Sequence, residues 1–302
     1  MKYYRLAGSE NQPFITVETS EGVLESITSL RSDIRRIEDL ISTASISGRD
    51  IDELSNDLLK TGRSEKFSLD QIIEQTLNKT TKPKLLKPLD PPEIWAAGVT
   101  YKNSELERIR ESDTPDIYSK VYMAERPEIF FKSTSARCSG PYDKVGIRSD
   151  SNWNVPEAEL TFITYNNEIV GYTAGNDMSS RSIEGENPLY LPQAKIYSRS
   201  CSIGPCFAST QSISNPQNLE VTCTIIREHS PIFSQTTSTS DMARSCQDIA
   251  TWLYKCNSVP DFTAVMTGTS IVPPPEFTLR KDDTIRIDIE SIGTLVNSVV
   301  EV

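Results

Sequence analysis

The sequence predicts an α+β protein that is mostly β, and three observations support this. Short runs with strand composition follow one another along most of the chain, whereas helical spacing is confined to an early and a late segment. Four prolines between residues 83 and 92 interrupt both kinds of element. We therefore expect a small α+β N-terminal domain at 1–80, a linker at 81–93 and a larger domain at 94–302.

The predicted elements of the N-terminal domain are three short strands followed by helices. The strands are expected at 3–6, 14–18 and 22–25. Apolar residues then recur at helical spacing. The two helical sets are Ile34, Ile37 and Ile41, and then Ile51, Leu54 and Leu58.

The larger domain is expected to be rich in strands. A helix is predicted at 240–256, and the serine- and threonine-rich stretch 234–240 is predicted to be a polar turn. The predicted strands are 94–98, 129–132, 160–165, 168–174, 202–208, 220–227, 263–268 and 284–290.

Composition and charge limit the classes of function. The 302 residues are 37% apolar, enough for a large buried core, and the formal net charge is -11. Such a charge argues against sequence-independent binding to nucleic acid or to an anionic membrane. The six cysteines form no C-x-x-C pair, and neither a signal peptide nor a membrane-spanning run is found. We expect a cytoplasmic protein with reduced cysteines and a small-molecule partner.

Two glutamates one residue apart indicate a metal site. Glu157 and Glu159 project from the same side of an extended strand, where their charges repel unless a cation lies between them. Asp177 is the third expected ligand. Carboxylate ligands alone favour a hard ion, Mg2+ first and then Mn2+ or Ca2+. The alternative is three ordinary surface acids.

The register of the predicted hairpin decides whether Asp177 reaches that site. A two-residue loop at Asn166 and Asn167 turns Asp177 away, whereas a three-residue loop sets it opposite Glu157. We predict the three-residue loop or an equivalent bulge.

Further candidate residues lie on neighbouring segments. Strand alternation puts Glu128 and Lys132 on one face, and a proline-broken loop delivers Gln193 and Lys195. Lys195 is a candidate base, which requires a pKa well below that of an ordinary lysine; a nearby dication and partial burial can supply this. At the end of an apolar strand, Thr269 follows Gly268 and offers a hydroxyl to a carboxylate. Each segment alone is also typical of a solvated surface or a strand end.

An ordered series of motifs resembles the fumarylacetoacetate hydrolase superfamily over about residues 94–300. The series is Phe131-Lys132, Pro156-Glu157-Ala158-Glu159-Leu160, Asn176-Asp177-Met178-Ser179-Ser180-Arg181, Gln193-Ala194-Lys195, Ile203-Gly204-Pro205, Thr267-Gly268-Thr269 and Ser291-Ile292-Gly293-Thr294-Leu295-Val296-Asn297.

The resemblance implies a mixed β-sandwich roll with a small N-terminal domain. It also implies Mg2+ on the three acids, a 2-oxo acid substrate that chelates the metal, and a homodimer or homotetramer. Residues 126–132, 148–151 and 186–193 are most similar to dehydratases of 2-keto-3-deoxy sugar acids, such as 2-keto-3-deoxy-D-arabinonate.

That branch implies loss of water from a 2-keto-3-deoxypentonate to give 2,5-dioxopentanoate. Lys195 is the expected base and protonated Glu128 the expected acid. Lys132 and Thr269 are expected to hold the substrate carboxylate. Thr100 and Gln193 are expected to contact its hydroxyls.

Two other functions remain open at this stage. One is a C–C bond hydrolase or a decarboxylase of a 2-oxo acid. Hydrolases of the superfamily typically activate water with a histidine in the segment that corresponds to 98–103, and this chain has no histidine there, so the resemblance disfavours a hydrolase. The chain's one histidine, His229, is expected in a structural turn. The other is a non-catalytic metal-binding protein.

Overall fold

The fold is a two-layer β structure with helices on its outer side. The computed structural model describes residues 1–79, 82–102 and 121–302. The boundary that we predict between 80 and 81 therefore lies outside the described residues, as does Asn103 at the end of segment 98–103.

The helices and strands are as follows. The helices are α1 (Ile27–Leu30), α2 (Ile37–Ile46), α3 (Ile51–Thr61), α4 (Leu69–Asn78), α5 (Arg181–Glu186), α6 (Leu191–Lys195) and α7 (Cys246–Tyr254). The strands are β1 (Lys2–Ala7), β2 (Pro13–Ser20), β3 (Val23–Ser26), β4 (Lys66–Ser68), β5 (Lys84–Leu85), β6 (Ile94–Gly98), β7 (Glu128–Ser133), β8 (Cys138–Ser139), β9 (Lys144–Ile147), β10 (Asn154–Val155), β11 (Ala158–Tyr165), β12 (Glu168–Asp177), β13 (Ser179–Ser180), β14 (Cys201–Ser209), β15 (Glu220–Arg227), β16 (Ser230–Ser238), β17 (Ala264–Met266), β18 (Thr284–Ile289) and β19 (Gly293–Glu301).

Within the described residues, the strands form a 12-stranded sheet, a 5-stranded sheet and one short pair. The large sheet runs β4-β3-β2-β1-β14-β12-β11-β17-β6-β7, with β5 beside β1 and β8 beside β14. The smaller sheet runs β16-β15-β18-β19-β9. Both sheets mix antiparallel and parallel pairs, since β17 is parallel to β6 and β19 is parallel to β9.

The two faces of the large sheet are covered differently. Leu160 and Phe162 of β11 share a core with Val221 and Ile287 of the smaller sheet. Ile163, the next residue of β11, belongs to a second core that α2 and α3 complete. Because successive strand side chains point to opposite faces, the smaller sheet covers one face and helices cover part of the other. This arrangement confirms the predicted mixed β-sandwich roll.

The N-terminal strands and helices form close to where the sequence predicts them, except that the predicted helical residue Ile34 precedes α2, which begins at Ile37. Helix α3 begins after Asp50, whose side chain accepts a hydrogen bond from the Glu53 N–H at 2.7 Å. Its apolar positions Ile51, Leu54 and Leu58 are buried. Strand β1 pairs with β14 as well as with β2, so these strands extend the large sheet. The division at 1–80, 81–93 and 94–302 stays a prediction.

The turn between β11 and β12 has two residues. Tyr165 pairs directly with Glu168 around Asn166 and Asn167. Both asparagines have positive φ, at 51° and 63°, a conformation that asparagine tolerates and that suits tight hairpins. The predicted three-residue loop is therefore wrong.

A bulge restores the register that the metal site needs. It lies next to Ile163, and beyond it Ala158 pairs with Asn176. Glu157 is consequently opposite Asp177, whose backbone N–H donates to the Glu157 carbonyl at 3.0 Å. The equivalent bulge, the other half of the prediction, is confirmed.

Two predicted boundaries late in the chain are wrong. Helix α7 is shorter than the predicted 240–256, because the Ser245 side chain caps it by accepting from the Asp248 N–H. Residues 234–238 belong to edge strand β16 rather than to a turn. Their hydroxyls bond across to β15, as in the contact of 2.8 Å between Thr222 and Thr236.

In the part of the chain that the structure describes, every helix is too short or too polar to cross a lipid bilayer.

Candidate functional site

Three buried carboxylates meet on the face of the large sheet that turns away from the smaller sheet. Glu157 precedes β11, Glu159 lies on β11, and Asp177 ends β12. One oxygen from each lies within 4.8 Å of the others. We call Glu157, Glu159 and Asp177 the acid triad; its spacing suits a single metal ion with oxygen ligands.

Cationic groups surround the acid triad. Lys195 Nζ donates to Glu157 Oε2 at 2.7 Å and to Asp177 Oδ2 at 3.3 Å. The guanidinium of Arg181 lies 3.1 Å from the other oxygen of Glu157. On the far side, Lys132 Nζ lies 2.5 Å from Asp177 Oδ1. These contacts fix the orientation of two of the three expected ligands.

The third expected ligand, Glu159, is held by the backbone. Its Oε2 accepts a hydrogen bond from the Gly268 N–H at 2.6 Å. Gly268 has a φ of 85°, and a side chain there would lie 2.1 Å from the Thr100 hydroxyl. Only glycine combines this positive φ with the absence of a side chain, so Gly268 allows the backbone N–H to approach Glu159 closely.

Burial raises the pKa of the Glu159 carboxyl well above its ordinary value, and repulsion from Asp177 and Glu157 adds to the effect. Lys195 and the Gly268 N–H lower the pKa but do not cancel the rise. A bound dication would oppose this rise because it stabilises the ionised carboxylate.

Acidic groups outnumber cationic groups around this cavity. Glu128 and Glu184 line its wall together with members of the acid triad, and Lys132, Arg181 and Lys195 are paired with the triad. When all these described groups are ionised, five carboxylates face three cations. A divalent cation neutralises that excess, so the residues fit the predicted Mg2+.

The candidate acid lies across the cavity from the triad. Glu128 begins β7 opposite Gly98 of β6. A Cβ at position 98 would lie 2.0 Å from Glu128 Oε2, so the glycine makes room for this carboxylate. Phe130, two residues along β7, lies on the same wall, with its ring centroid 5.7 Å from Lys195 Nζ.

The predicted substrate-binding residues lie at different depths. Thr269 is on the cavity wall, where its hydroxyl accepts from the Ile271 N–H at 3.1 Å. Thr100 and Lys132 are buried behind the wall, and the Thr100 hydroxyl donates to the Thr267 carbonyl at 2.7 Å. Gln193 is exposed to solvent. Contacts between these residues and a substrate stay predictions.

Two site residues were not predicted from the sequence. Arg181 and Glu184 are buried in α5, where Arg181 lies between Glu157 and Glu184. Glu184 also accepts a hydrogen bond from the Ser179 hydroxyl at 2.9 Å. The available signal was that Arg181 and Glu184 are three positions apart, which puts an oppositely charged pair on one side of a helix. That spacing is common on exposed helices, so it does not indicate burial.

The single histidine lies elsewhere. His229 is exposed in the turn between β15 and β16, with a φ of 66°. The expectation of a turn is confirmed.

Comparison with known proteins supports the resemblance. A sequence model of the family described as "Fumarylacetoacetate (FAA) hydrolase C-terminal" matches residues 93–300. A probable 2-keto-3-deoxyxylonate dehydratase of Haloferax volcanii is 43% identical over 302 residues, which cover 100% of both chains. A 2-dehydro-3-deoxy-D-arabinonate dehydratase of Saccharolobus solfataricus is 42% identical over 222 residues, 72% of this chain and 74% of that protein.

A solved structure gives the same picture. The 2-keto-3-deoxy-D-arabinonate dehydratase complexed with magnesium and 2,5-dioxopentanoate superimposes with a TM-score of 0.78. It is 32% identical, and the match covers 100% of this chain and 99% of that one. The predicted recognition is thus confirmed by sequence and by fold, and the chain belongs to the fumarylacetoacetate hydrolase family.

Proposed function

We propose that the protein is a Mg2+-dependent hydro-lyase that removes water from a 2-keto-3-deoxypentonate to give 2,5-dioxopentanoate. The observation that carries this proposal is one cavity lined by Glu157 and Asp177 of the acid triad, the Lys195 amine and the Glu128 carboxyl. Glu159 completes the triad, with one oxygen from each acid within 4.8 Å of the others. The relatives named as dehydratases of such acids, and the related structure with magnesium and 2,5-dioxopentanoate, support the same reaction.

The acid triad is the part of the chain that would hold Mg2+. Bound there, the ion would polarise the 2-oxo group of the substrate and lower the energy of the enolate formed from it. Mg2+ prefers oxygen ligands and keeps open positions, so three carboxylates suffice as protein ligands. Mn2+ and Ca2+ also take oxygen ligands and are the alternatives to Mg2+.

Lys195 is the proposed base. As a neutral amine it would take the proton from C3, next to the 2-oxo group, and the C–H electrons would form the enolate. Its Nζ lies 2.7 Å from a triad oxygen, so it is close to the position of a metal-bound substrate. The ring of Phe130 limits its movement on the other side.

Glu128 is the proposed acid. Its protonated carboxyl would donate to the C4 hydroxyl, the C4–O bond would break, and water would leave by syn or anti elimination. Elimination leaves a C3=C4 double bond next to the 2-oxo group. Loss of a proton from C5 and gain of one at C3 convert this 5-hydroxy enone to its C4=C5 enol, which tautomerises to 2,5-dioxopentanoate. Lys195 thus gains one proton and Glu128 loses one, and the reaction needs no oxidant.

The remaining predicted contacts would orient the substrate. Thr269, on the cavity wall, is the best placed of the four residues to bind its carboxylate. The family pattern supports Thr100 and Gln193 as contacts to the hydroxyls. The same pattern assigns Lys132 to the carboxylate, but this residue is completely buried behind Asp177 and is not proposed as a substrate contact.

A substrate panel tests the proposed reaction. Mass spectrometry with Mg2+ and a set of 2-keto-3-deoxypentonates and hexonates should reveal a product lighter by one water. Parallel reactions with 3-oxo acids test the decarboxylase, which would release CO2. A hydrolase would instead split the carbon chain into two fragments.

Removal of the metal separates an enzyme from a binding protein. EDTA should abolish turnover, and added Mg2+ should restore it. A non-catalytic metal-binding protein would show a changed melting temperature under the same treatment but no turnover to restore.

We also expect a cytoplasmic homodimer or homotetramer. The location is supported by cysteines that are unpaired throughout the described residues. Light scattering during gel filtration would give the molar mass, and a monomer would contradict the expected assembly.

A further inference from the structure

Lys132 occupies a position that differs from the one expected of a substrate contact. Its side chain is 0% exposed and lies behind Asp177. Besides the ion pair with Asp177 at 2.5 Å, its ammonium donates to the carbonyl of Met178 at 2.9 Å and to that of Lys195 at 2.5 Å. The two carbonyls use two of the three N–H donors of the ammonium, and the ion pair with Asp177 balances its charge.

A bound carboxylate would have to displace one of these partners. Each partner is itself buried, and a buried group that loses its hydrogen bond costs about 1–3 kcal/mol. The ammonium would also have to move through the cavity wall to meet the substrate. Lys132 is therefore better suited to hold protein groups than to hold substrate.

The three partners belong to two parts of the site. Asp177 is an expected metal ligand, and Lys195, the proposed base, ends helix α6. The single ammonium of Lys132 joins the side chain of one to the backbone of the other. Movement of Lys132 would thus change the position of the ligand and of the base together.

Strand β7 contributes to the site at three positions. Glu128 and Phe130 both line the cavity, and Lys132 follows where the pairing with β6 shifts by one residue. The first is the proposed acid, the second contacts the Lys195 amine through its ring, and the third bonds to the Lys195 carbonyl. Lys195 is consequently fixed to β7 at both its side chain and its backbone.

We propose that Lys132 is a positioning residue, which orients Asp177 towards the metal and fixes the backbone of Lys195, and that it makes no contact with substrate. This inference rests on the proposed function for the roles of Asp177 and Lys195. The contact of Lys132 with Asp177 can nevertheless be tested without any substrate.

The test is the substitution Lys132→Met, which keeps the length of the side chain and removes its charge and donors. Titration calorimetry with Mg2+ alone should give a Kd about tenfold higher than that of the unsubstituted protein, as is usual when an outer partner of a metal ligand is lost. Loss of a nearby positive charge would by itself tighten Mg2+ binding. Weaker binding therefore reports a misplaced Asp177.

Kinetics at saturating Mg2+ test the second half of the proposal. With Lys195 displaced, kcat should fall about 10–100-fold while the substrate KM changes less than about twofold. A direct contact with substrate predicts the opposite, a higher KM with Mg2+ affinity unchanged. An unchanged kcat would overturn the link to Lys195, and unchanged or tighter Mg2+ binding would overturn the link to Asp177.

A matched control lies outside the site. Lys87 Nζ also bonds to two carbonyls, those of Ser135 and Cys138, and lies 3.1 Å from a carboxylate of Asp90. Lys87→Met should leave Mg2+ affinity and kcat unchanged. If Lys132→Met does not fold, Lys132→Gln, which retains one donor group, is measured in the same way and should show the same two changes. If the unsubstituted protein lacks dehydratase activity, the proposed function fails, yet the Mg2+ titration still decides the contact with Asp177.

Discussion

At the scale of single residues, the site depends on charges that would be unfavourable without one another. Burial costs a carboxylate several kcal/mol unless it is paired, and the three buried acids here have three cationic neighbours. Glu128 and Glu184 add two further carboxylates, and this excess of negative charge makes the cavity suitable for a dication. Specific atoms, rather than overall charge, then decide the chemistry.

Substitution of the proposed acid should separate the two halves of the reaction. Glu128→Gln keeps the shape of the side chain but cannot donate the same proton to the C4 hydroxyl, so kcat for dehydration should fall about 10²–10⁴-fold. Removal of the C3 proton should continue, and NMR in D2O would detect it as deuterium uptake. Loss of both activities would contradict the assignment of Glu128.

A buried carboxyl outside the site predicts a dependence of stability on pH. Burial raises the pKa of Glu38 in α2 above its ordinary value, and its Oε2 has no hydrogen-bond partner among the described residues. The folded protein thus binds the Glu38 proton more tightly than the unfolded chain does. Ionisation of the buried Glu38 carboxyl lowers the free energy of unfolding. This destabilisation is absent below the pKa of Glu38 in the unfolded chain and fully present above its pKa in the folded protein.

Glu38→Gln should therefore stabilise the protein at neutral pH, by about 1 kcal/mol, the usual size for such a buried group. The gain should shrink as the pH falls to the ordinary range of a glutamate. Thermal unfolding across that range measures it. A gain that grows towards acid pH would contradict the sign of the pKa shift.

Residue chemistry could be predicted from the sequence to different depths. The spacing of Glu157 and Glu159 predicted that their carboxylates lie together, as they do in the structure, because strand side chains alternate between the two faces. The burial of Lys132 could not be predicted, since the same alternation is compatible with a side chain that lines the cavity and with one that is buried against other protein groups. Arg181 was missed because its partners become neighbours only after the hairpin has folded.

At the scale of elements, the hairpin β11–β12 sets the geometry of the acid triad. The two-residue turn alone would pair Glu157 with Asn176. The extra residue of the bulge, Val170, corrects this by one position, so that Asp177 faces the site. The sequence left loop and bulge open because neither has a distinctive composition here.

Deletion of Val170 should preserve the metal site. Without the extra residue the strands pair regularly from the turn, and Glu157 still lies opposite Asp177, because the deletion shortens β12 by the one residue that the bulge had added. Calorimetry should give a Mg2+ Kd within a few-fold of the original, as expected for a change away from the ligands. Deletion of Ala174, beyond the bulge, is the comparison: it turns Asp177 to the opposite face and should abolish Mg2+ binding.

Strand positions were predicted better than helix ends and edges. Strands β6 and β15 match the predicted ranges. The edge strand β16 was missed because its hydroxyl-rich sequence resembles a turn, and cross-strand hydroxyl pairs become visible only in the folded sheet. Helix α7 starts later than predicted because Ser245, rather than Ser240, caps it.

At the scale of the whole molecule, the large sheet carries most of the site, to which helices α5 and α6 add Arg181 and Lys195. Strands β7, β11 and β12 carry the acid, two of the triad and their neighbours, and β17 precedes the turn with Gly268. Strand β1 joins the same sheet beyond β14. Ligand binding to the triad should therefore affect the stability of the whole fold.

Mg2+ should raise the unfolding temperature. At a concentration of about 100 times Kd, a ligand that binds only the folded state adds about 2.7 kcal/mol to the free energy of unfolding. Calorimetric scans with and without Mg2+ measure the increase, which Asp177→Asn should remove. An equal increase in this variant would show that the ion acts at another site.

The most direct test of the whole account is removal of the C3 proton from a metal-bound 2-oxo acid by Lys195. The suitable substrate is 2-oxopentanoate, which has the carboxylate and 2-oxo groups but no hydroxyl to expel, so proton NMR in D2O follows the C3 position alone. With Mg2+, the protein should catalyse exchange of that hydrogen for deuterium, and Lys195→Ala should bind Mg2+ but lose the catalysis. Exchange at the original rate in Lys195→Ala would contradict the account.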